Sequence, residues 1–276
     1  MVEQDGGELP SKEKAMWSLI TVTYNSSDAI KKHWAGDFGN RSDVEWIVVD
    51  NASTDDTVEV AKSLGAKVVA NRVNQGFSAA NNLGYRESRG THVAFVNPDV
   101  EIMVEDLARM AEFLDGHPRV LAAPQLVNMD SSLQPNGRGW PFLTDKILHR
   151  VLPRAVASRY RLYAKPGELR QVVWATGAVV LGQRSTFDEL HGPWDDHFFL
   201  YYEDSDVCLR ARAKGIPTVV LGDVRWVHEW ARETTGFRFL PWKREFTSMV
   251  KFYARYPRLV FTSPWPEARR RGMAVR

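Results

Sequence analysis

A chain of 276 residues with 44% hydrophobic, 25% charged and 11% aromatic content has ordinary globular composition, with length for one large domain or two small ones. Its 36 basic and 34 acidic residues nearly cancel, a formal +2. That balance excludes the concentrated basic surplus with which nucleic-acid binders engage phosphate backbones. The single cysteine, Cys208, leaves no internal disulfide and points to a reducing, cytoplasmic setting. The N-terminal residues carry acids where a signal peptide would carry an apolar run, and no window approaches the ~20 apolar residues of a membrane span.

In chain order, residues 1–14 are polar and Gly/Pro-bearing, and are expected to form a disordered lead. From Trp17, short β-branched runs predict strands at "WSLITVT", "VEWIVVD", "AKVVANR", "THVAFVN" and "VLAAPQL". Helical patterns cover residues 54–64 and 78–88. Ser53, with Asp56 three residues later and Gly65 beyond the end, predicts a capped first helix. Strands alternating with helices predict an α/β fold of parallel strands joined by crossover helices. Ligands of such sheets bind beyond the carboxyl ends of the strands. Asn25, Asp50, Asn51 and Asp99 all follow strand ends, so that edge is the expected site.

Residues 134–169 are rich in basic, Pro and aromatic residues and are expected to be loops and short helices. "QVVWATGAVVLGQ" returns to strand, "SDVCLRARAKG" is a short helix stopped by Gly215, and "PTVVLG" and "DVRWVHEW" predict two further strands. No repeat, low-complexity block or linker divides the chain. Residues 15–260 are expected to be one domain, followed by a basic tail, 261–276.

The order "TVTYN", "VVDNASTDDT", "NQGFSAANNLGYRES", "FVNPDV", "TGAVVLGQRSTFDELHGPWDDHFFLYYEDSDVCLRARAKG" and "VHEW" resembles family 2 glycosyltransferases of the GT-A fold, most of all bacterial rhamnosyltransferase-type enzymes. The resemblance spans residues 17–230 and implies a Rossmann-like, mostly parallel central sheet flanked by helices, with a smaller acceptor-side half. It implies inverting, metal-dependent transfer of a hexosyl or rhamnosyl unit from a nucleotide-diphosphate sugar, dTDP- or UDP-linked. The acceptor would be a saccharide or polyprenyl-linked saccharide in cell-wall or polysaccharide synthesis.

Carried over residue by residue, Asp50 would accept the imide N–H of a uracil or thymine ring, with Thr21, Thr23, Asn25 and Asn51 beside the nucleoside. Asn81 and Asn82 occupy the helix that faces the nucleotide, Asn81 standing where many relatives have Arg. "NPD" stands where the family has Asp-x-Asp, so Asp99 would ligate Mg2+ or Mn2+, and Asn97 would contact ribose or a water. His228 of "WVHEW" would be a further ligand as the neutral imidazole. Few protein ligands are needed, because phosphate and water complete the shell. Within "YYEDSD", Asp204 matches the general base, and Glu203 binds the acceptor or orients Asp204. Gly177 of "ATGAVV" would lie close to the donor sugar.

Taken alone, each piece has a plainer reading. Asp50 is a turn acid, "NPD" a good turn, His228 a structural histidine, and the acids of "YYEDSD" helix-start residues favouring the dipole. The last reading suits Asp206, which should then tolerate Asn. A nucleotidyltransferase would open with a Gly-rich basic phosphate loop, which "TVTYNSSDA" lacks. A nucleotide-sugar-binding protein without turnover would not need both Asp99 and Asp204. A Rossmann dehydrogenase would need G-x-G-x-x-G after a strand. Trp194, Phe198, Phe199, Tyr201 and Tyr202 are candidates for a sugar-site wall, some of them for the core. "PWKREFTSMVKFYARYPRLVF" predicts a basic amphipathic helix, either a peripheral contact with the inner face of a membrane or a helix packed on the domain.

Overall fold

In the computed structural model, which describes residues 16–36, 38, 41–229 and 239–260, the alternating runs become a nine-stranded sheet with helices on both faces. The chain runs β1 (Trp17–Thr23), α1 (Ser27–His33), β2 (Val44–Asp50), α2 (Thr57–Ser63), β3 (Lys67–Ala70), α3 (Phe77–Glu87), β4 (His92–Val96) and β5 (Val100–Glu101). It continues through α4 (Val104–Gly116), β6 (Leu121–Val127), β7 (Gly137–Arg138), α5 (Leu143–Val151), α6 (Pro153–Tyr160), β8 (Arg161–Leu162) and β9 (Leu169–Val172). β10 (Trp174–Ala175), β11 (Val179–Gln183), α7 (Arg184–Glu189), α8 (Glu203–Ala213), β12 (Thr218–His228) and α9 (Phe239–Arg255) complete it. The segments 1–14 and 261–276 lie outside the described residues.

The sheet order is β3-β2-β1-β4-β11-β6-β12-β5, with β9 also on β12. β1, β2, β3 and β4 pair in parallel, as do β6 and β12, while β11 enters antiparallel between β4 and β6. The expected α/β sheet with a Rossmann-like parallel half is therefore present, and the inserted strand makes it mixed. Its central strands are apolar on both faces. Leu19, Ala94 and Val96 pack with α1, α2 and α4, whereas Ile20, Val93 and Phe95 pack with α3, α7 and α8. Alternate side chains of a strand point to opposite faces, which is why unbroken apolar runs mark strands buried on both sides.

Two local expectations are corrected. The helix expected from residue 54, α2, starts at Thr57, because Ser53 does not cap it: its amide and hydroxyl both donate to Asp50. The two strands expected after Gly215 are one, β12, interrupted by a register shift between Leu221 and Arg225. Pro124 faces Leu221 at that shift and has no N–H to offer the ladder, so the bulge falls where a hydrogen bond is missing in any case. Residues 134–169 hold α5, α6 and fragments of a three-stranded sheet, β10-β7-β8. No helix among the described residues is long and apolar enough to cross a membrane.

Candidate active site

Parallel register ends β1 and β2 together, Thr23 opposite Asp50. Asp50 is buried, and a buried carboxylate needs donors. Thr23 Oγ1 donates to its Oδ1 at 2.9 Å, Ser53 Oγ donates to the same oxygen, and the Ser53 amide donates to Oδ2 at 2.9 Å. Asn25, at φ +52°, accepts the Thr54 amide at 2.8 Å, and its own amide donates to Ser53 Oγ. Thr23, Asn25 and Asp50 thus form one polar ledge.

Other expected donor residues point their side chains elsewhere. Thr21 is buried and accepts from Trp46 Nε1 at 3.2 Å. Asn51 donates to Gly76 O and accepts from Asn71 Nδ2 and the Gln75 amide, tying down the loop before α3. Asn81 donates back to Phe77 O within α3, and Asn82 exchanges hydrogen bonds with the Trp194 backbone and donates to Asp196. Gly76 sits at φ +87°, where a Cβ would lie 2.5 Å from Phe199 O, so the chain can pass there only as glycine.

The Asn-Pro-Asp turn leaves β4, and the pairing of β5 with β12 sets Val100 opposite His228. The Glu229 amide donates to Asp99 O at 2.9 Å. His228 Nε2 lies 3.5 Å from Asp99 Oδ2, longer than a hydrogen bond, and Asp99 Oδ1 is buried with no partner among the described residues. Gln134 selects the tautomer of the neutral imidazole. Its Nε2 donates to His228 O at 2.6 Å and to Asn128 Oδ1 at 2.7 Å, so its Oε1 is the atom 2.8 Å from His228 Nδ1. The proton of the neutral ring therefore belongs on Nδ1, and the Nε2 lone pair faces Asp99. An orphaned carboxylate oxygen beside a free imidazole nitrogen fits a divalent cation. No group of three or more His, Cys, Asp or Glu side chains among the described residues could hold a metal, so a cation here would need ligands from substrate and water.

Asn97 N donates to Ala178 O at 2.9 Å, and the preceding residue, Gly177, donates its amide to Asp204 Oδ2 at 3.2 Å. Two adjacent residues thereby link the Asn-Pro-Asp turn to Asp204. A Cβ at Gly177 would make only ordinary contact with Asp204 and Phe77. Tyr201 and Tyr202, both at positive φ, lead into α8, so Glu203 and Asp204 open the helix. Burial pushes the Asp204 carboxyl above its ordinary value, against the pull of Lys146 and the Ser205 and Gly177 amides. Burial, then the Asp204 charge, push Glu203 well above its usual range, and Glu203 Oε2 has no partner among the described residues. Two carboxyls side by side with raised values are the arrangement that separates acid and base roles.

Asp206 differs from its expectation. It lies in the first turn but is wholly buried, accepting from Arg210 at 2.8 Å, Arg255 at 2.8 Å and Tyr256 at 2.7 Å. It joins α8 to α9 rather than decorating a helix start. Trp194, Phe198 and Tyr202 are core, whereas Phe199 and Tyr201 stay half-buried. Three neighbours have no signal in the sequence reading. Gln134 lies 94 positions from its histidine. Arg138 stands 5.8 Å from the Tyr160 and Trp174 rings, and Lys146 Nζ lies 3.5 Å from the Tyr202 ring centre.

A family model described as glycosyl transferase family 2 matches residues 18–181. The chain is 26% identical over 224 residues to a low-salt glycan biosynthesis hexosyltransferase of Haloferax volcanii, covering 80% of this chain and 69% of that protein. It is 26% identical over 236 residues to an N-acetylglucosaminyl-diphospho-decaprenol L-rhamnosyltransferase of Mycobacterium tuberculosis, covering 78% and 76%. Among solved structures, a mannosyltransferase from Pyrobaculum calidifontis in complex with GDP-Man and Mn2+ superposes with a TM-score of 0.59 at 19% identity, covering 92% of this chain and 66% of that one. S. aureus TarS (residues 1–349) superposes at 0.56 and 19% identity, covering 78% and 60%. The present chain thus spans 66% of one solved chain and 60% of the other, and the likeness establishes the GT-A fold.

Proposed function

The chain belongs to glycosyl transferase family 2, a family of sugar-transferring enzymes, and on that premise we propose an inverting, metal-dependent transferase. Its donor is a dTDP- or UDP-linked hexose or rhamnose, and its acceptor a saccharide or polyprenyl-linked saccharide of cell-wall or polysaccharide synthesis. The carrying observation is the short link through Ala178 and Gly177 between the cation-ready turn at Asp99 and the acid pair. The likeness to a relative named for a diphospho-decaprenol acceptor supports the acceptor class.

Asp99 and His228 would hold Mg2+ or Mn2+, which supplies positive charge against the diphosphate when bound. Asp50 receives the base's imide N–H on Oδ2, which accepts only the Ser53 amide among the described residues. Thr23 and Asn25 shape the ledge beside it, and Asn97 faces the ribose side. Thr21, Asn51, Asn81 and Asn82 act by holding that ledge and α3 in place. Asp204, ionised, takes the acceptor hydroxyl's proton as that oxygen bonds to the anomeric carbon. The bond from the anomeric carbon to the diphosphate oxygen breaks on the opposite face, inverting the configuration. Glu203, kept protonated, donates to an acceptor oxygen, and Gly177 fixes Asp204 through its amide. Residues 15–260 act as one catalytic domain, cytoplasmic and peripheral at the inner face of the membrane.

Incubating the purified protein with dTDP-rhamnose and UDP-hexoses, with Mn2+ or Mg2+ and then with chelator, tests the reading. Nucleoside diphosphate release from at least one donor, lost on chelation, is expected. Release from none, or release that survives chelation, contradicts it.

A further inference from the structure

We infer that the α5–α6 hairpin is a docking element for an anionic lipid bilayer. Ile147, Leu148, Val151 and Leu152, four apolar side chains within six consecutive residues, are 54%, 36%, 70% and 58% exposed. Isolated exposed apolar residues need no explanation, but a contiguous ridge does. Residues 147, 148 and 151 share one face of α5, since positions three and four apart lie together on a helix. Asp145, one turn before Leu148, is buried, and Arg159 grips its carboxylate with two hydrogen bonds of 2.7 and 3.0 Å. That bidentate pair fixes α6 to α5 and holds the ridge rigid.

The charge around the ridge selects its occupant. Residues 145–168 contain six Lys or Arg against two acids, Asp145 and Glu168, a surplus of four in a chain whose formal total is only +2. Arg154 is exposed one turn past the ridge. Beyond α6 an open groove of about 960 Å³ is lined by Arg161, Tyr163, Lys165, Arg170 and Glu168, the last two paired at 3.0 Å. Apolar side chains at the acyl boundary with cations beside them among anionic headgroups is the arrangement of a peripheral membrane helix. A second copy of this chain would set the same basic surface against itself in an isologous contact, opposing like charges. The ridge is separate from α9, where Phe246 and Val250 are the exposed large apolar side chains among the described residues.

The hairpin also reaches the acid pair. Lys146, adjacent to Ile147, lies against Tyr202, the residue before Glu203. A bilayer seated on α5 would therefore stand close to the acids, where a lipid-linked acceptor would arrive. That last use rests on the proposed transfer reaction, whereas the docking does not.

The test is co-sedimentation of the full-length protein with vesicles of phosphatidylcholine, alone or with about a third phosphatidylglycerol. Binding should rise with the anionic lipid and fall with salt. Val151→Glu combined with Leu152→Glu should lower partition about tenfold or more, with thermal melting unchanged, whereas Phe246→Glu in α9 should sediment as wild type. Equal binding to neutral and anionic vesicles overturns the proposal, as does wild-type partition by the double variant. Loss confined to Phe246→Glu overturns it in favour of α9. A vesicle-independent dimer that the double variant dissociates would assign the ridge to a second copy and also overturns it. Nucleotide release from a soluble donor is a separate assay, so failure of the transfer reading is distinguishable from failure of docking.

Discussion

His228 can ligate only through a lone pair on Nε2, and Gln134 determines whether that lone pair exists. The Gln134 amide is held by two carbonyl acceptors, which leaves its oxygen for Nδ1–H. Replacing Gln134 with Met should therefore weaken Mn2+ affinity about 10- to 100-fold, the usual cost of losing a ligand's orienting partner. Calorimetric titration with nucleotide present would measure it. Unchanged affinity with the fold intact would mean that His228 does not hold the cation. Lys146 plays the corresponding part at Asp204. Burial raises the Asp204 value and Lys146 opposes that rise. A base works only when ionised, so the acid limb of kcat/KM should lie above the ordinary aspartate value of 3.8. Lys146→Met removes the opposing charge, and the limb should move to still higher pH. A limb that stays or moves down would show that Lys146 does not act on the base.

At the scale of elements, α8 and α9 meet at Asp206. Its carboxylate receives Arg210 from α8 together with Arg255 and Tyr256 from the α9 end, and Phe252 and Tyr253 pack beside Tyr202. Removing one member of a buried ion-pair network leaves its partners' charge uncompensated. Asp206→Asn should therefore lower stability by about 3–5 kcal/mol, read from urea unfolding against wild type. A loss within about 0.5 kcal/mol, the range of ordinary surface substitutions, would return Asp206 to a simple helix-start role. The segment that sequence reading treats as an amphipathic helix is thus a packed one on this face. Its outer face still carries Lys243, Phe246 and Val250 to solvent.

Across the whole molecule, what was legible is what local chemistry dictates. Apolar runs buried on both faces located β1, β2, β4 and β6, and strand ends located Asp50 and Asp99. What was hidden depends on partners distant in the chain. Ser53 reads as a cap, yet it turns back to Asp50, because satisfying a buried carboxylate outweighs capping a helix that can start one turn later. Pro124 gives no sign of the bulge it faces across the sheet. Asn51, Asn81 and Asn82 sit in a motif associated with nucleotide contact, but their amides are engaged by the loops and helix around them. Gln134, Arg138 and Lys146 lie in a segment of weak periodicity, so only the fold brings them beside His228 and the acid pair.

As the base of an inverting transfer, Asp204 would act in turnover and not in donor binding. Asp204 is held by the Gly177 amide, beside the link to the Asn-Pro-Asp turn. Asp204→Asn keeps the size of the side chain and its contact with the Ser205 amide while removing the basic oxygen. The deciding measurement is donor affinity and single-turnover transfer on the same preparation of Asp204→Asn. Wild-type donor affinity with transfer slower by about 10²–10⁴ is expected. Transfer at the wild-type rate, or loss of donor affinity in step with rate, would contradict it.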